Sequence, residues 1–353
     1  MVKTGESKMR KISIIIPCYN VSRYLDRCLD SIVMQSIGME ALEIIFIDDA
    51  STDDTWERLQ RWEKRFPDNI LLIHSDVNGK PGAARNIGLQ YASADYVAFV
   101  DADDWLEKDY FEKLYVPAAH YKCDVVVCGA ILDRSNSLTY FSKEERDAGS
   151  EEHFVTTSRE VKKLLFRYRI LGETVWGKLI RKNLITGRKL FFPEGLFYED
   201  VYWMPQLYVY ATDVFAMGEK LYHHYQNLNS VVFSRNTDHH LDCITIQEMK
   251  WRNYIKRNFL KKYRKELEYD SLHDALGITN MIISRYDYPP FSFFEAERRF
   301  MKEHVPDYKN NPYIADLKEF PRFLLDLLYS DIDETGFQQV AATLKGSYDQ
   351  IKL

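Results

Sequence analysis

Long hydrophobic runs and an excess of positive charge are both absent from this 353-residue sequence. No stretch approaches the ~18 consecutive apolar residues that a membrane-spanning helix needs. Lys and Arg number 47 and Asp and Glu number 53, so the formal net charge of -6 argues against a general nucleic-acid binder. The apolar stretch Ile12–Ile16 ends at Pro17 and is too short for a secretory leader. We therefore expect a cytoplasmic protein, with the inner face of the membrane as an alternative location.

Cysteines are few and scattered, which favours a reducing compartment over a disulfide framework. They are Cys18, Cys28, Cys123, Cys128 and Cys243. Only Cys123 and Cys128 lie close together in the sequence, and their spacing lacks the C-x-x-C form that is typical of a zinc site. We expect free thiols in or near a hydrophobic core.

The usual phosphate-binding and hydrolase motifs are missing as well. Pro17 stands where a dinucleotide-binding fold would carry GxGxxG, and no GxxxxGK[ST] loop occurs. Neither GxSxG nor HExxH is found. If the protein binds phosphates, a metal ion on carboxylates is a better candidate for holding them than a glycine-rich loop.

The first 130 residues alternate short apolar runs with amphipathic helical patterns. The predicted strands are Ile12–Ile16, Glu43–Ile47, Ile70–Ile73, Tyr96–Val100 and Val125–Cys128. Such strands, separated by helices, indicate an α/β fold with a mostly parallel sheet and helices on both faces. Ligands of these sheets bind beyond the carboxyl ends of the strands. The residues there are Pro17–Asn20, Asp48–Asp49 and Asp101–Asp104.

The pattern changes along the rest of the chain. Residues 133 to 160 are polar and irregular, and residues 161 to 225 are mixed and rich in aromatic side chains. Beyond about Asn236 the pattern becomes helical, without clear strands. We predict a nucleotide-binding α/β domain over residues 1–235 and a helical C-terminal extension over residues 236–353. The extension is expected to contact the acceptor, a membrane surface or another subunit.

Asp101 and Asp103 are two residues apart, so in an extended segment both side chains point to one side. A carboxylate pair of this kind suits a hard divalent cation such as Mn²⁺ or Mg²⁺. The alternative is that these acidic residues cap a helix beginning near Glu107, with Asp104 as a plausible N-cap.

Two other polar segments have open interpretations. A carboxylate of Asp48 or Asp49 could accept hydrogen bonds from a base or a ribose, or the segment could be a turn before a capped helix. Arg85 lies in a helix that opens through two glycines. It could contact a phosphate, hold the acidic loops, or lie at the surface.

Four segments together give the sequence a specific resemblance. They are Ser13–Asn20 (SIIIPCYN), Ile47–Asp53 (IDDASTD), Gly82–Leu89 (GAARNIGL) and Phe99–Trp105 (FVDADDW). In this order they resemble glycosyltransferase family 2, whose members have the GT-A fold. A weaker match continues with Trp176–Leu179, which is similar to a W-x-K-L element of capsule and lipopolysaccharide enzymes, and with Phe197–Asp200, which is similar to an acidic ED element.

The resemblance implies an inverting glycosyltransferase of cell-surface polysaccharide or lipopolysaccharide synthesis that uses a nucleotide-sugar, often a UDP-sugar. The implied acceptor is a glycan or a lipid-linked sugar. Residues implied in nucleotide binding are Pro17, Tyr19, Asp48, Asp49, Arg85, Asp101 and Ala102. Asp103 would ligate Mn²⁺ or Mg²⁺, and Asp101 would bind the metal or the ribose. Because a QxxRW signature and membrane helices are not evident, transfer of a single sugar is favoured over processive synthesis.

The resemblance also implies that Asp200 is the general base, with Glu199 as the weaker candidate. An ordinary Asp pKa near ~3.9 would keep such a base ionised at pH 7. The alternative for this acidic pair is a helix cap or a solvated edge. His223 or His224 would be a third metal ligand, as in some GT-A enzymes, or a packed histidine in an aromatic-rich strand.

Lys250–Lys265 contains eight basic residues and no acidic ones, and Trp251, Ile255 and Phe259 fall on one side of a helix. Such a basic amphipathic helix could lie on anionic lipid, or could pack on the core with a solvated face. Two other functions compete with glycosyl transfer. One is a sugar-phosphate nucleotidyltransferase, and the other is a non-catalytic binding scaffold on the same fold.

Overall fold

The computed structural model describes residues 10–134, 137–141, 150–155, 158–227 and 230–351. The chain divides into two compact units, Met1–Asn227 and Leu228–Leu353. The first is an α/β unit built on one sheet, and the second is helical. Each is described by itself below.

The α/β unit is built on one ten-stranded sheet. Its strands are β1 (Ile12–Cys18), β2 (Leu42–Asp49), β3 (Ile70–Ser75), β4 (Tyr96–Phe99), β5 (Trp105–Leu106), β6 (Val125–Arg134), β7 (Ser137–Phe141), β8 (Glu151–Val155), β9 (Lys178–Arg181) and β10 (Asp213–Gln226). Its helices are α1 (Ser22–Val33), α2 (Thr55–Arg65), α3 (Lys80–Tyr91), α4 (Tyr110–Tyr121), α5 (Arg159–Arg167), α6 (Lys182–Gly187) and α7 (Glu199–Tyr210). The five strands predicted from apolar runs are confirmed as β1 to β4 and β6.

The strand order is β3-β2-β1-β4-β9-β6-β10-β5, with β7 beside β6 and β8 beside β10. β1 to β4 are parallel, and β9 inserts antiparallel between β4 and β6. Consecutive residues of β1 such as Ile14, Ile15 and Ile16 are all fully buried, so both faces of the sheet are covered. The predicted mostly parallel, two-faced α/β architecture is confirmed. The antiparallel β9 was not predicted as a strand, and of the 14-residue β10 only the aromatic-rich part around His223 and His224 was considered one.

The second unit contains five α-helices among the residues described. They are α8 (Asp242–Lys256), α9 (Leu260–Arg285), α10 (Phe291–His304), α11 (Glu319–Tyr329) and α12 (Glu334–Ile351). Its predicted helical character is confirmed. Throughout the part of the chain that the structure describes, no helix is both long and apolar enough to cross a membrane.

The expectation of a single basic amphipathic helix over Lys250–Lys265 is wrong. α8 ends at Lys256, Asn258 takes a φ of 59°, and α9 begins two residues later. Trp251 and Phe259 are buried, whereas Ile255 is 60% exposed, so the three do not share a face. The left-handed residue breaks the helix and rotates the second half. This removes the apolar face on which the membrane interpretation depended.

The basic run also contributes a fully buried lysine to the helical core. Lys250 Nζ donates to Asp270 Oδ2 at 2.9 Å and also contacts Asp274, while the Tyr254 hydroxyl donates to Asp270 at 3.0 Å. A buried ammonium requires such partners because the interior does not solvate its charge. Lys250 is therefore a core residue, and it is not part of a solvated basic surface.

Glu297 lies in the same core, fully buried, and is bonded to Gln247 Nε2 at 2.8 and 2.9 Å. Burial raises the pKa of the Glu297 carboxyl to about 8, and the Asp274 charge adds to the rise, while Gln247 and Lys250 oppose it. Gln247 Oε1 is a buried acceptor with no hydrogen-bond partner among the described residues. A protonated Glu297 can satisfy it in a reciprocal acid–amide pair.

We expect this carboxyl to make the protein less stable as the pH rises. The folded state keeps a proton that the unfolded chain, with an ordinary Glu pKa near ~4.3, releases. Stability should therefore fall as the pH rises through the window between the two pKa values, by at most about 1.4 kcal/mol per pH unit. Glu297→Gln should flatten this slope when urea unfolding is compared from pH 5 to 8.

Glu303→Gln is the matched control, because Glu303 is an exposed carboxylate on the same helix. It should leave the slope unchanged. Equal slopes for the wild type and Glu297→Gln would show that Glu297 is already ionised in the folded protein.

Candidate active site

The carboxyl ends of β1, β2 and β4 lie side by side at one edge of the sheet. Asn20 ties the first two loops together, since its Oδ1 accepts from Thr52 N at 2.8 Å and its own N–H donates to Ser51 Oγ at 3.0 Å. Four non-glycine residues with positive φ follow the strands β1 and β2 or stand at the start of α3 and α7. They are Asn20 (53°), Ala50 (61°), Lys80 (68°) and Tyr198 (64°). Strained backbone of this kind clusters at functional sites.

Three of the residues implied in nucleotide binding lie at this edge of the sheet. Pro17 is half-buried in β1, and Tyr19 follows that strand with its side chain 48% exposed. Ala102 lies in the loop that follows β4, and it is buried. Of the three, Tyr19 is the most accessible to a ligand.

Asp48 and Asp49 end β2 and have different partners. Asp48 is fully buried, and its Oδ2 lies 2.7 Å from Nδ1 of His74, the neighbouring residue on β3. Its Oδ1 finds no hydrogen-bond partner in the described part of the chain. Asp49 Oδ1 accepts from Gly79 N at 2.8 Å and so fixes the loop that leads into α3. The sequence did not indicate His74, because its role depends on strand register.

Asp101 to Asp104 form a turn, so the expected extended arrangement of Asp101 and Asp103 is wrong. Asp104 N donates to the Asp101 carbonyl at 3.0 Å, which closes a β-turn. The chain has to reverse here, because β4 ends at Phe99 and β5 pairs antiparallel with β10. The carboxylates nevertheless lie close to one another. Burial, and then the charges of Asp104 and Asp101, raise the pKa of Asp103 to about 7.

Asp104 anchors the turn to β10 and does not cap a helix. Its side chain is fully buried, and it accepts from the Tyr222 hydroxyl at 2.6 Å and from Tyr225 N at 2.7 Å. α4 begins later, at Tyr110, with Asp109 in the N-cap position. The helix-cap alternative for Asp104 is therefore wrong.

The two candidate histidines lie on β10 with different neighbours. His223 Nε2 lies 2.8 Å from Glu107 Oε1, and its ring stacks on Trp105 at 4.8 Å between centroids. His224 Nδ1 lies 3.2 Å from Asp104 Oδ1, beside the acidic turn. Burial alone would lower the pKa of His224, but the neighbouring carboxylates outweigh it and raise that pKa. Only His224 is therefore placed beside Asp103.

Arg85 is the buried centre of the site. Its guanidinium donates to Asp101 Oδ1 at 3.0 Å and also pairs with Glu199, and the residue is only 5% exposed. Of the roles left open by the sequence, this geometry favours holding the acidic loops. The side chain is neither a surface arginine nor one that is free to contact a phosphate.

The helix that carries Arg85 is fastened to the segment before α7. Asn86 Nδ2 donates to the Phe192 carbonyl at 3.0 Å, and Phe192 N donates back to Asn86 Oδ1 at 2.9 Å. Gly82 allows this approach, because a Cβ at that position would lie 2.1 Å from the Pro193 carbonyl oxygen. The GAARN segment thus brings the acidic pair at the start of α7 to the sheet.

Glu199 and Asp200 open α7 and differ in their bonding. Glu199 is buried and pairs with Arg85. Asp200 is partly buried, and its Oδ1 accepts from Val201 N at 2.9 Å. Burial and the Glu199 charge raise the pKa of Asp200 to about 7, against the opposing effect of Arg85. The expectation of an ordinary Asp pKa at this position is therefore wrong.

Three further residues lie at the site. The sequence did not indicate Arg27, whereas Trp176 and Lys178 belong to the W-x-K-L element, to which it assigned no role. Arg27 of α1 donates to the Asp103 carbonyl at 2.8 Å, and its guanidinium lies 3.9 Å from the centre of the Trp105 ring. Trp176 stacks on His224 at 5.0 Å between ring centroids. Lys178 is buried and donates to the Trp176 carbonyl at 3.0 Å. The W-x-K-L segment thus supports β10 behind the acidic turn.

Comparison with known proteins identifies relatives of one kind. The profile of the family described as "Glycosyl transferase family 2" matches residues 13–185. The chain is 31% identical over 288 residues to the "Uncharacterized glycosyltransferase EpsJ" of Bacillus subtilis, a match that covers 79% of this chain and 76% of EpsJ.

Solved structures show the same fold at low identity. TarS 1-349 of S. aureus in complex with UDP-GlcNAc superposes with a TM-score of 0.55 at 18% identity, covering 90% of this chain and 79% of that one. TarS is named a poly(ribitol-phosphate) beta-N-acetylglucosaminyltransferase. The mannosyltransferase PcManGT of Pyrobaculum calidifontis, in complex with GDP-Man and Mn²⁺, superposes with a TM-score of 0.51 at 15% identity, covering 97% and 88%. The predicted GT-A fold is confirmed.

We expect Arg85 to stabilise the unit mainly by compensating buried charge. Arg85→Met would leave Glu199 buried without a counter-charge, and breaking one partner of a buried pair typically costs about 3–5 kcal/mol. The double variant Arg85→Met/Glu199→Gln should recover part of that loss, because the uncompensated charge is gone. Urea unfolding at pH 7 measures both.

Arg58→Met is the matched control, since Arg58 pairs with Asp26 and Asp54 at the surface. It should change the free energy of unfolding much less. If the double variant were as unstable as the sum of its single changes, the buried-charge explanation would be wrong.

Proposed function

The chain belongs to glycosyltransferase family 2, and we propose that it transfers a single sugar from a UDP-sugar to an acceptor hydroxyl, with inversion at the anomeric carbon. One observation supports this most strongly: Arg85 joins Asp101 of the acidic turn to Glu199, the neighbour of Asp200. The candidate donor site and the candidate base are thus linked through one guanidinium. Fixed positioning of this kind favours attack by a bound acceptor on a bound donor.

Mn²⁺ or Mg²⁺ is proposed as the cofactor of the acidic turn, Asp101–Asp104. Asp101 and Asp103 are proposed as ligands, with His224 as the third, whereas His223 is directed to Glu107. Three carboxylates share this turn. Burial, and then the charges of Asp104 and Asp101, raise the pKa of Asp103, and a bound cation would offset both effects. Carboxylate oxygens are preferred by hard divalent ions. When bound, the ion offsets the negative charge of the diphosphate leaving group.

Asp200 is proposed as the general base. It accepts the proton of the acceptor hydroxyl as that oxygen bonds to the anomeric carbon and the nucleoside diphosphate leaves. A pKa raised to about 7 matches the proton affinity that makes a general base effective near neutral pH. Glu199 orients the loop through Arg85 and is the weaker candidate for accepting the proton.

The nucleoside is proposed to bind at the ends of β1 and β2. Tyr19 is half-exposed there, and His74, with a side chain that is 42% exposed, covers the buried Asp48. Asp49 supports this surface from below through its bond to Gly79. Pro17 and Ala102 shape the floor of the site.

The acceptor is proposed to be a glycan or a lipid-linked sugar in the synthesis of a cell-surface polysaccharide. The support is the similarity to TarS, whose name gives poly(ribitol-phosphate) as its acceptor. The choice of a UDP-sugar follows the UDP-GlcNAc complex of TarS, although PcManGT binds GDP-Man. The donor sugar is therefore best found by screening both nucleotides.

Nucleotide binding should depend on Asp103. With Mn²⁺ and UDP at 100 times its Kd, binding should stabilise the wild type by about 2.7 kcal/mol. That corresponds to several degrees in thermal unfolding, at roughly 2–4 °C per kcal/mol. Asp103→Asn should lose the metal-dependent part of the shift. Asp30→Asn, an exposed change on α1, is the control and should keep it. A wild type that responds to no nucleoside diphosphate would contradict the donor site.

Transfer should depend on Asp200 without loss of donor binding. Asp200→Asn keeps the size of the side chain but removes the proton acceptor, which typically costs about 10²–10⁴-fold in rate. Release of UDP in the presence of acceptor measures the rate, and the thermal shift with UDP and Mn²⁺ checks the donor site. Full transfer activity in Asp200→Asn at saturating donor would remove Asp200 from this role. Release of pyrophosphate from a nucleoside triphosphate would instead indicate a nucleotidyltransferase.

A further inference from the structure

A second group of metal-binding side chains lies at the other end of β10. Sγ of Cys123, a ring nitrogen of His153 and a carboxylate oxygen of Asp213 all lie within 4.8 Å of one another. Asp213 is the first residue of β10, and His224 lies further along the same strand. Val214 pairs with Val125 and His224 with Leu132, seven residues apart on β6, which is roughly 23 Å at about 3.3 Å per residue. This Cys123–His153–Asp213 cluster is therefore separate from the acidic turn.

The three side chains come from three elements that the sheet brings together. Cys123 follows α4, directly after Lys122, which takes a φ of 56° and ends the helix. His153 lies on β8, and Asp213 begins the neighbouring strand, with His153 opposite Phe215 in the antiparallel register. His153 Nε2 lies 2.7 Å from Asp213 Oδ1. Because each position is set by tertiary pairing, sequence spacing gives no sign of the cluster.

The surroundings orient the histidine and leave a path for an ion. The His153 ring packs beside the stacked pair of Tyr121, at 4.4 Å between centroids, and Phe215, at 6.1 Å. Cys123 is fully buried, whereas the side chains of His153 and Asp213 are 27% and 24% exposed. One side of the cluster is therefore closed by packing, and the other can admit an ion and a water molecule.

We propose that Cys123, His153 and Asp213 form a Zn²⁺ site that joins β8 to β10 and to the end of α4. Zinc–ligand distances of about 2.0–2.3 Å place neighbouring ligand atoms roughly 3.2–3.8 Å apart in a tetrahedron, so only small side-chain shifts are needed. A thiolate and an imidazole select Zn²⁺ or a similar ion over Mg²⁺ or Mn²⁺. Three protein ligands leave the fourth position to water. The proposal is independent of the glycosyltransferase assignment.

Cobalt binding to the metal-free full-length protein tests this site, because Co²⁺ replaces Zn²⁺ and a cobalt–thiolate bond gives a charge-transfer absorption that carboxylate sites do not. The wild type should show the band at one equivalent of Co²⁺ and lose it when Zn²⁺ is added. Asp103→Asn should keep it, which separates this site from the acidic turn. Cys123→Ser should abolish the band.

Cys128→Ser is the matched control, since Cys128 is another buried thiol of the same unit, and its Sγ donates to the Gly177 carbonyl. It should keep the band. His153→Asn, at a partly exposed position, should weaken Zn²⁺ binding at least 10-fold in calorimetry while the thiol remains. Absence of the band in a folded wild type, or its persistence in Cys123→Ser, would overturn the proposal and leave the His153–Asp213 pair as a simple ion pair.

Discussion

One buried guanidinium determines how the candidate site is assembled. Arg85 is almost completely removed from solvent, so its charge has to be compensated by protein groups. These groups are Asp101, which follows β4, and Glu199, which lies 114 residues after Arg85 in the sequence. Neither loop can move away without leaving charge unpaired in the interior. The acidic turn and the start of α7 are therefore coupled by electrostatics, although they belong to distant parts of the sequence.

A second constraint acts on the same turn from the opposite side. Asp104 is fully buried and accepts from the Tyr222 hydroxyl and Tyr225 N, both on β10. Trp176 lies parallel to the Tyr222 ring at 4.6 Å, so the W-x-K-L segment supports these contacts. Arg85 thus holds the beginning of the turn and β10 holds its end. Asp103, between them, keeps its carboxylate uncommitted to either support, which suits a residue that is proposed to bind a metal.

The sequence predicts what depends on local pattern and fails where tertiary pairing decides. Unbroken apolar runs such as Ile12–Ile16 can only be buried strands, and they place the polar loops at the right edge. The turn at Asp101–Asp104 was expected to be extended, because the antiparallel pairing of β5 with β10 that forces the reversal joins residues more than 100 apart. The break at Asn258 was missed because a left-handed residue leaves the helical periodicity on either side intact. Strand register, which places His74 beside Asp48, has no local signal at all.

Tertiary contacts, which the local sequence does not reveal, also determine which carboxylate at the start of α7 is available to accept a proton. By sequence, Glu199 and Asp200 are adjacent acids, and only the family resemblance favours Asp200 as the base. In the structure Glu199 is bonded to Arg85, so taking up a proton would cost it that ion pair. Asp200 forms no ion pair with the residues that the structure describes, and burial beside a second carboxylate raises its pKa. Two neighbouring acids in unlike environments are suited to different tasks. Glu199, which pairs with Arg85, fixes the loop. Asp200 has the raised proton affinity that suits the general base we propose.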